Sequence, residues 1–400
     1  MLNVPTDRRR QYGTGTWQLT TFAAKAIMPW LVLSVLPNLD LSVVVAADQV
    51  AIVPAADPRV VALREGHPNL DQFLSRFHSS HGQAVHPAVV LFDTAAPDSK
   101  RTGEAMVGIR NALAVSVVTN QTAQALLYPH GHRILFTDPF DFYPWNLDRD
   151  FEHMISITPA SMALHQVQDF SGQPSPGSPI HALSQFDVDQ VLLEQILVHW
   201  NAAYRRPKMD DMQRALFRSL NMASAAMRMP ATTAATIFDY GRQCGLWVSA
   251  FEILTNFEAG QANLGTVLAL LEKKRFHIRG LNARRYRVQY RGQQTSVNLA
   301  QKLYERLYRV RNDFLHGNTV NARSLEIKSS GRFIGHFAPL LYRCALRNFL
   351  DLRFVPLVEP TNLEERIAAQ FASQEYEEAQ LDCEQALGRA RTPVPVADVG

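Results

Sequence analysis

A stretch rich in Ser, Pro and Gly, DFSGQPSPGSPIHALSQ at residues 169–185, is the feature that most constrains how this chain can fold. It has little apolar content, so no hydrophobic core can form around it. The chain, at 400 residues, also exceeds the usual size of a single core. We therefore predict a linker at residues 171–186 that joins a domain of residues 1–170 to a second domain of residues 187–355.

The two halves differ in their apolar patterns. Before the linker, the β-branched runs LSVVVA, AVVLFD, AVSVVT and HRILFTD alternate with helix-like stretches, which predicts an α+β domain. After it, apolar residues recur at three-to-four spacing with few strand signals, which predicts an all-α helical bundle. The predicted helices span residues 187–204, 210–227, 232–257, 264–273, 296–316 and 335–354. Residues 356–400 are expected to form an acidic tail that is partly helical or disordered.

Positive charge is concentrated in the middle of the chain. Counting Lys and Arg against Asp and Glu gives a net charge of −3 for residues 1–180, +12 for residues 181–355 and −6 for residues 356–400. A block with this surplus of cations favours a polyanion as partner.

Several classes of protein are not favoured. Cys244, Cys344 and Cys383 lie far apart, so a disulfide framework or a zinc ribbon is not expected, and a reducing cytoplasm fits best. The histidines lack the neighbours of a metal set, and the chain has neither a GxxxxGK(S/T) phosphate loop nor a GxSxG hydrolase motif. The stretch FAAKAIMPWLVLSVLP is too short to span a bilayer. We predict no metal, no cofactor and no membrane span.

The predicted helix of residues 296–316 ends in the string LYRVRNDFLHGN. Its apolar stripe consists of Leu299, Leu303, Leu307, Val310 and Phe314. Gly317 is expected to end the helix, because glycine adopts a left-handed conformation most easily. Asn312 shares a face with His316, whereas Arg311 lies about 140° round the helix from His316 and needs its long side chain to converge. Together these polar residues favour an anion-binding site.

The longer string LYERLYRVRNDFLHGN resembles the signature of HEPN domains, in which an Arg and a His separated by four to six residues lie on a late helix of a bundle. It is especially similar to the Apea-like HEPN branch, and the upstream LWVSAFEILTNFE is similar to the apolar helix with an embedded Glu found there. The resemblance covers about residues 187–355. It implies a metal-independent endoribonuclease or a nucleotide-binding relative, usually a homodimer, and suggests by analogy a role in antiviral defence or a toxin system.

The resemblance implies a role for each residue of the motif. Attack by a ribose 2′-OH on the adjacent phosphate needs a proton acceptor and a proton donor, which suits His316. Arg311 is expected to stabilise the phosphoryl oxygens by bidentate hydrogen bonds, and Asn312 to position the phosphate or His316. Two alternatives stay open: a non-catalytic module that binds nucleotide or RNA, and a structural pair that only neutralises the end of the helix.

Glu252 lies among apolar residues in SAFEILTNF. A charge in such a place is either a solvent-facing gap in the apolar stripe or the partner of an Arg. The resemblance favours the partner, with Arg311 or Arg309 as its target.

The basic segment EKKRFHIRGLNARRYRVQYRG, residues 272–292, directly precedes the motif helix. Its cations are expected to contact RNA phosphates while its rings stack on bases. The predicted RNA-binding residues are Arg284, Arg285, Tyr286, Arg287 and Arg291. A solvated interhelical loop or hairpin without a ligand is the alternative.

Overall fold

The computed structural model describes residues 30–79, 81–131, 133–156, 164–169, 180–206, 208–229, 234–256, 263–290, 292–352 and 377–391. The strands are β1 (Trp30–Leu36), β2 (Leu39–Leu41), β3 (Val45–Ala47), β4 (Val50–Val53), β5 (Ala88–Asp93), β6 (Trp145–Leu147), β7 (His153–Ser156), β8 (Leu164–Gln166), β9 (His181–Leu183), β10 (Tyr286–Tyr290), β11 (Gln293–Val297), β12 (Glu326–Ile327) and β13 (Arg332–Phe333). The helices are α1 (Pro58–Gly66), α2 (Pro68–Leu74), α3 (Gly103–Leu127), α4 (Gln190–Ala203), α5 (Asp211–Ala226), α6 (Ile237–Thr255), α7 (Leu264–Glu272), α8 (Arg279–Ala283), α9 (Leu299–Leu315) and α10 (Ala338–Phe349). Residues 377–388 form a further helix, called here the C-terminal helix.

An antiparallel sheet in the order β1-β5-β4-β3 organises the N-terminal region. Successive side chains of each strand point to opposite faces. On one face Val35 packs near Phe73 and Phe77 in a small separate core. On the other face Ile52 and Val90 join the main core of the molecule. The sheet is therefore covered on both sides, which explains why all six residues of β5 are buried and all but Asp93 are apolar.

Helix α3 overturns one of the strand predictions. AVSVVT, residues 114–119, lies in the middle of this 25-residue helix and is completely buried. The surrounding helices bury nearly every side of α3, so packing outweighs the β-propensity of the run. The described part of HRILFTD, residues 133–138, is not a strand either.

The main core crosses the predicted boundary at residues 171–186. Helix α3 precedes that boundary but packs against α4, α5 and α10, which follow it. The indole Nε1 of Trp200 in α4 donates a hydrogen bond to the carbonyl of Ala105 in α3 at 2.8 Å. The N-terminal α+β region and the helical region therefore share the main hydrophobic core, and the small separate core lies on the other face of the N-terminal sheet.

The C-terminal region is helical, as predicted, and its helices begin where polar side chains cap them. Helix α5 begins at Asp211 because Asp210 accepts a hydrogen bond from the backbone N–H of Gln213 at 2.7 Å. Helix α6 begins at Ile237, later than predicted, after the cap Thr236. No helix in the described ranges is long and apolar enough to cross a membrane.

Strands β10 and β11 show that this region is not all-helical. They form an antiparallel hairpin that begins in the basic segment and extends beyond it, and its turn includes Gly292 at a φ of 78°. Val288 and Val297 are buried, while the alternating neighbours Arg287 and Gln289 are exposed, which is the pattern of a strand with one wet face. The end of the basic segment is therefore a hairpin strand, and whether the segment contacts RNA stays a prediction.

The C-terminal helix lies in the predicted acidic tail, and it packs into the bundle, which the sequence did not predict. Glu384 is completely buried and accepts hydrogen bonds from the Nζ of Lys274 at 2.8 Å and from the backbone N–H groups of His277 and Ile278 at 2.7 and 3.0 Å. Arg343 of α10 donates to Gln380 at 2.8 Å. The remainder of the predicted tail, residues 356–376 and 392–400, lies outside the described residues.

Candidate functional site

Helix α9 carries the motif at its C-terminal end. The helix begins after a capping box formed by Asn298 and Gln301. It ends as predicted at Gly317, which has a φ of 69°. The backbone N–H of Asn318 donates to the carbonyl of Asp313 at 3.0 Å, so the end of the helix is a Schellman motif. This termination fixes the last turn, in which Arg311 and Asn312 lie.

Arg311 and Asn312 are in direct contact. The Nη1 of Arg311 donates a hydrogen bond to the Oδ1 of Asn312 at 3.0 Å. The guanidinium also lies over the ring of Tyr308, 5.7 Å from its centroid. Hydrogen bonding from one side and the aromatic face from another restrict the rotamers of a long side chain that is otherwise mobile. Arg311 is therefore held in place before any anion binds.

Glu252 faces Arg311 from helix α6. Burial raises the pKa of Glu252, and the positive charge of Arg311 opposes that rise. Both charges also act on Tyr304, whose pKa burial raises well above its usual value. Of the two partners considered for Glu252, the structure supports the electrostatic neighbour Arg311.

Arg309 has a different partner, so its predicted pairing with Glu252 is wrong. Its Nε forms an ion pair with Glu305, one turn earlier on the same helix. Glu305 also pairs with the Nζ of Lys302 at 3.2 Å. Because Arg309 and Arg311 are two residues apart on α9, they point about 160° away from each other. Only one of them can face α6.

His316 lies at the exposed end of the helix. Its backbone N–H donates to the carbonyl of Asn312 at 2.9 Å, which places it as the C-terminal cap of α9. Among the described residues, its imidazole makes no hydrogen bond. The structure thus brings Arg311 and Asn312 together and leaves the ring of His316 exposed to solvent near them. The convergence of Arg311 and His316 onto one phosphate stays a prediction.

The basic hairpin exposes most of the predicted RNA-binding residues. Arg284, Arg285 and Arg287 are exposed, and the guanidinium of Arg284 lies 5.6 Å from the ring centroid of Tyr286. An open cavity of about 600 Å³ is lined by Arg285, Tyr286, Arg287, Gln294, Thr295 and Ser296. Its walls carry two guanidinium groups and three uncharged polar side chains, a composition that suits a phosphate. Arg291 lies outside the described residues.

The hairpin lies at the opposite end of α9 from the motif. The Nζ of Lys302, in the first turn of the helix, donates to the carbonyl of Arg287 at 3.4 Å. His316 follows Lys302 by 14 residues, a rise of about 21 Å. The basic segment directly precedes α9 in the sequence, but its cations lie far from the motif in space.

An exposed apolar patch beside the motif was not predicted. It consists of Phe238 and Leu315, which are 67% and 64% exposed. Phe238 makes an edge-to-face contact with Phe314 at 6.1 Å, which joins the start of α6 to the end of α9. One signal was present in the sequence: Leu315 lies about 100° from Phe314 on the helix, outside the apolar stripe. Large exposed apolar groups that lie together mark interaction surfaces.

Within the described ranges, no three His, Cys, Asp or Glu side chains lie close enough together to hold a metal ion. Comparisons of the chain with protein-family models, with curated proteins and with solved structures found no match. The resemblance to HEPN domains consequently rests on the motif and its helical setting, and membership of that family stays a prediction.

Proposed function

We propose that this protein is a metal-independent endoribonuclease with a HEPN-like helical region. In the proposed reaction a ribose 2′-OH loses its proton and attacks the adjacent phosphorus, and the bond to the 5′-oxygen breaks as that oxygen gains a proton. His316 transfers the protons, and Arg311 neutralises the charge that develops on the phosphoryl oxygens. The proposed role in antiviral defence or a toxin system rests on analogy with the family.

The observation that carries the proposal is the hydrogen bond between Arg311 and Asn312 beside the exposed ring of His316. An arginine that only capped its own helix would bond the last carbonyl groups. The Nη1 of Arg311 instead bonds a neighbouring side chain, and the guanidinium lies over Tyr308. A guanidinium fixed in this way retains unused donors for an incoming phosphate.

The apolar patch supports a homodimer as the active form. Leu315 is next to His316 in the chain, and Phe238 lies beside the same end of α9. A second copy that covers both side chains therefore brings a second motif to the same place. Two-fold pairing of one surface with itself is the commonest arrangement of homodimers. A second His316 would then supply the donor while the first acts as the acceptor.

One observation favours the competing function, a module that binds RNA or nucleotide without cutting it. Arg311 faces Tyr308 and Glu252, about 140° round the helix from His316. The open polar cavity of about 600 Å³ also lies at the hairpin rather than at the motif. Both features suit retention of RNA at a distance from the histidine.

Incubation of the purified protein with labelled RNA in EDTA separates the two functions. Wild type is compared with Arg311→Ala and His316→Ala, and with the control variants Arg218→Ala and His81→Ala, which alter exposed residues of the same types elsewhere. The nuclease is supported if cleavage without metal is lost in both motif variants and kept in both controls. Binding without cleavage by all five proteins supports the module, and RNA with a 2′-deoxyribose at the cut site must resist cleavage.

A further inference from the structure

One face of α9 connects the hairpin to the motif. Lys302, Arg309 and His316 are seven residues apart, so successive members are displaced by only about 20° round the helix. Lys302 and Arg309 expose 36% and 54% of their side chains, and His316 is exposed. These three residues form a straight line of basic side chains, called here the α9 track.

Glu305 fixes the two cations of the track from beneath. It is 2% exposed and pairs with both Lys302 and Arg309. A carboxylate this deeply buried presents almost no surface to a ligand, although it cancels one of the two positive charges. Asp313, a partly buried acid between Arg309 and His316, accepts a hydrogen bond from the Nδ2 of Asn318 at 3.0 Å. Arg309 and His316 are the most exposed members of the track.

The hairpin continues the track. The hydrogen bond from Lys302 to the carbonyl of Arg287 joins them, so the exposed cations of the hairpin follow directly on those of the helix. The line from Lys302 to His316 measures about 21 Å. A stacked strand with a phosphate every 3.4 Å needs about six nucleotides to cover that length.

We propose that the α9 track guides single-stranded RNA from the hairpin to the motif, with Lys302 and Arg309 contacting phosphates about three nucleotides apart. This proposal rests on the proposed function and adds a minimum length for the RNA substrate. A single line of cations matches one sugar-phosphate backbone, and the ring of Tyr286 at its start offers a stacking surface for an unpaired base. A stacked RNA strand of fewer than about six nucleotides does not reach from His316 to the hairpin.

The test uses the intact chain and the triple variant Lys302→Gln, Glu305→Gln and Arg309→Gln. Glu305 is replaced as well because a buried carboxylate without its cations would destabilise the fold. The control is Arg214→Gln with Arg218→Gln, which removes two exposed cations from α5. Affinity for fluorescent RNAs of 4, 8, 16 and 24 nucleotides is measured in EDTA at several salt concentrations, and a 16-base-pair duplex is included.

Wild type and control are expected to bind more tightly as the RNA lengthens from 4 to 16 nucleotides. The triple variant should lose most of this gain and bind the 16-mer on the order of 20-fold more weakly at 0.1 M salt, because the slope of log affinity against log salt falls by about 0.7 for each lost phosphate contact. An unchanged length gain and slope in a variant that melts cooperatively would overturn the track, and tighter binding of the duplex would overturn the single-stranded substrate. Absence of cleavage by wild type counts against the nuclease alone, since binding is measured separately.

Discussion

The guanidinium of Arg311 bonds the amide oxygen of Asn312, the next residue in the chain, at 3.0 Å. Neighbouring residues on a helix point about 100° apart, so this contact draws the arginine round the helix toward the face that carries His316. Asn312 thus closes part of the angular gap that separates Arg311 from the histidine. The resemblance to HEPN domains implies that Asn312 positions the phosphate or His316, and in the folded chain its side-chain oxygen holds Arg311.

Asn312→Ala is expected to lower the rate of RNA cleavage roughly 10- to 100-fold, because a displaced catalytic group forfeits much of the benefit of orientation. Binding of a 16-nucleotide RNA should change little, since the phosphate contacts of the hairpin are untouched. Single-turnover kinetics with saturating RNA measure the chemical step. If the variant bound RNA more weakly but cleaved it at the wild-type rate, the positioning role would be contradicted.

Glu252→Gln is expected to stabilise the protein at neutral pH. The pKa of Glu252 is raised in the folded chain, so its contribution to stability is fully present below the usual value of 4.5 and is lost as the pH rises through the folded value. Glutamine stays neutral, so the variant should gain in melting temperature over wild type between pH 5 and pH 7. The exposed Glu65→Gln serves as control. If the difference in melting temperature between variant and wild type shrinks as the pH rises, the pKa of Glu252 is not raised.

Gly241→Ala should disturb the motif from the neighbouring helix. A Cβ at Gly241 would lie 2.2 Å from the Cδ1 of Phe314, so the ring must move and the end of α9 with it. Such overpacking typically costs about 1–3 kcal/mol. Gly245, one turn further along α6, has open space, and Gly245→Ala should stabilise the helix by about 1 kcal/mol. Urea unfolding compares the two variants, and equal effects would contradict the packing described.

Lys274→Met should release the C-terminal helix. Removal of the cation leaves Glu384 buried without its charged partner, at a cost of roughly 3–5 kcal/mol. The double variant Lys274→Met with Glu384→Gln is expected to recover much of that loss. Burial by itself would raise the pKa of Glu384, but Lys274 and several hydrogen bonds lower it below 4.5, so wild type should lose stability as the pH falls through that lowered value. A strictly additive double-mutant cycle would refute the coupling.

Phe238→Asp combined with Leu315→Asp should abolish self-association if the apolar patch forms the dimer. Charged groups at the centre of an apolar interface lose their solvent and repel their symmetry mates. Phe186 is also strongly exposed, and Phe186→Asp provides the control at another surface. Sedimentation velocity across a range of protein concentrations reports the oligomeric state. A wild-type chain that stays monomeric throughout would remove the basis for the two-fold site.

Local signals in the sequence predicted much of the helical region. Periodic apolar residues and a capping Asp210 located α5 to within one residue at each end, and Gly317 located the end of α9. The β-branched run in α3 was misread, because propensity describes a residue in isolation and some of the neighbours that bury α3 lie more than 200 residues away.

The candidate site was also predicted only in part. The sequence alone grouped Arg311, Asn312 and His316, since residues close together on a helix have predictable directions. It could not distinguish Arg309 from Arg311 as the neighbour of Glu252, because that choice depends on how α6 packs against α9. Nor could it reveal the contact of Lys274 with Glu384, which are 110 residues apart. Long-range contacts of this kind are fixed only by the tertiary structure.

The burial of α3 has a consequence for synthesis of the chain on the ribosome. Its packing partner α10 begins about 210 residues after α3 ends. At 5–20 residues per second, roughly 10–40 seconds separate the emergence of the two helices. During that interval α3 cannot complete its packing, and a long apolar helix stays accessible to water and to other nascent chains. We therefore expect this protein to depend on molecular chaperones during translation, and to aggregate when it is expressed faster than they can bind it.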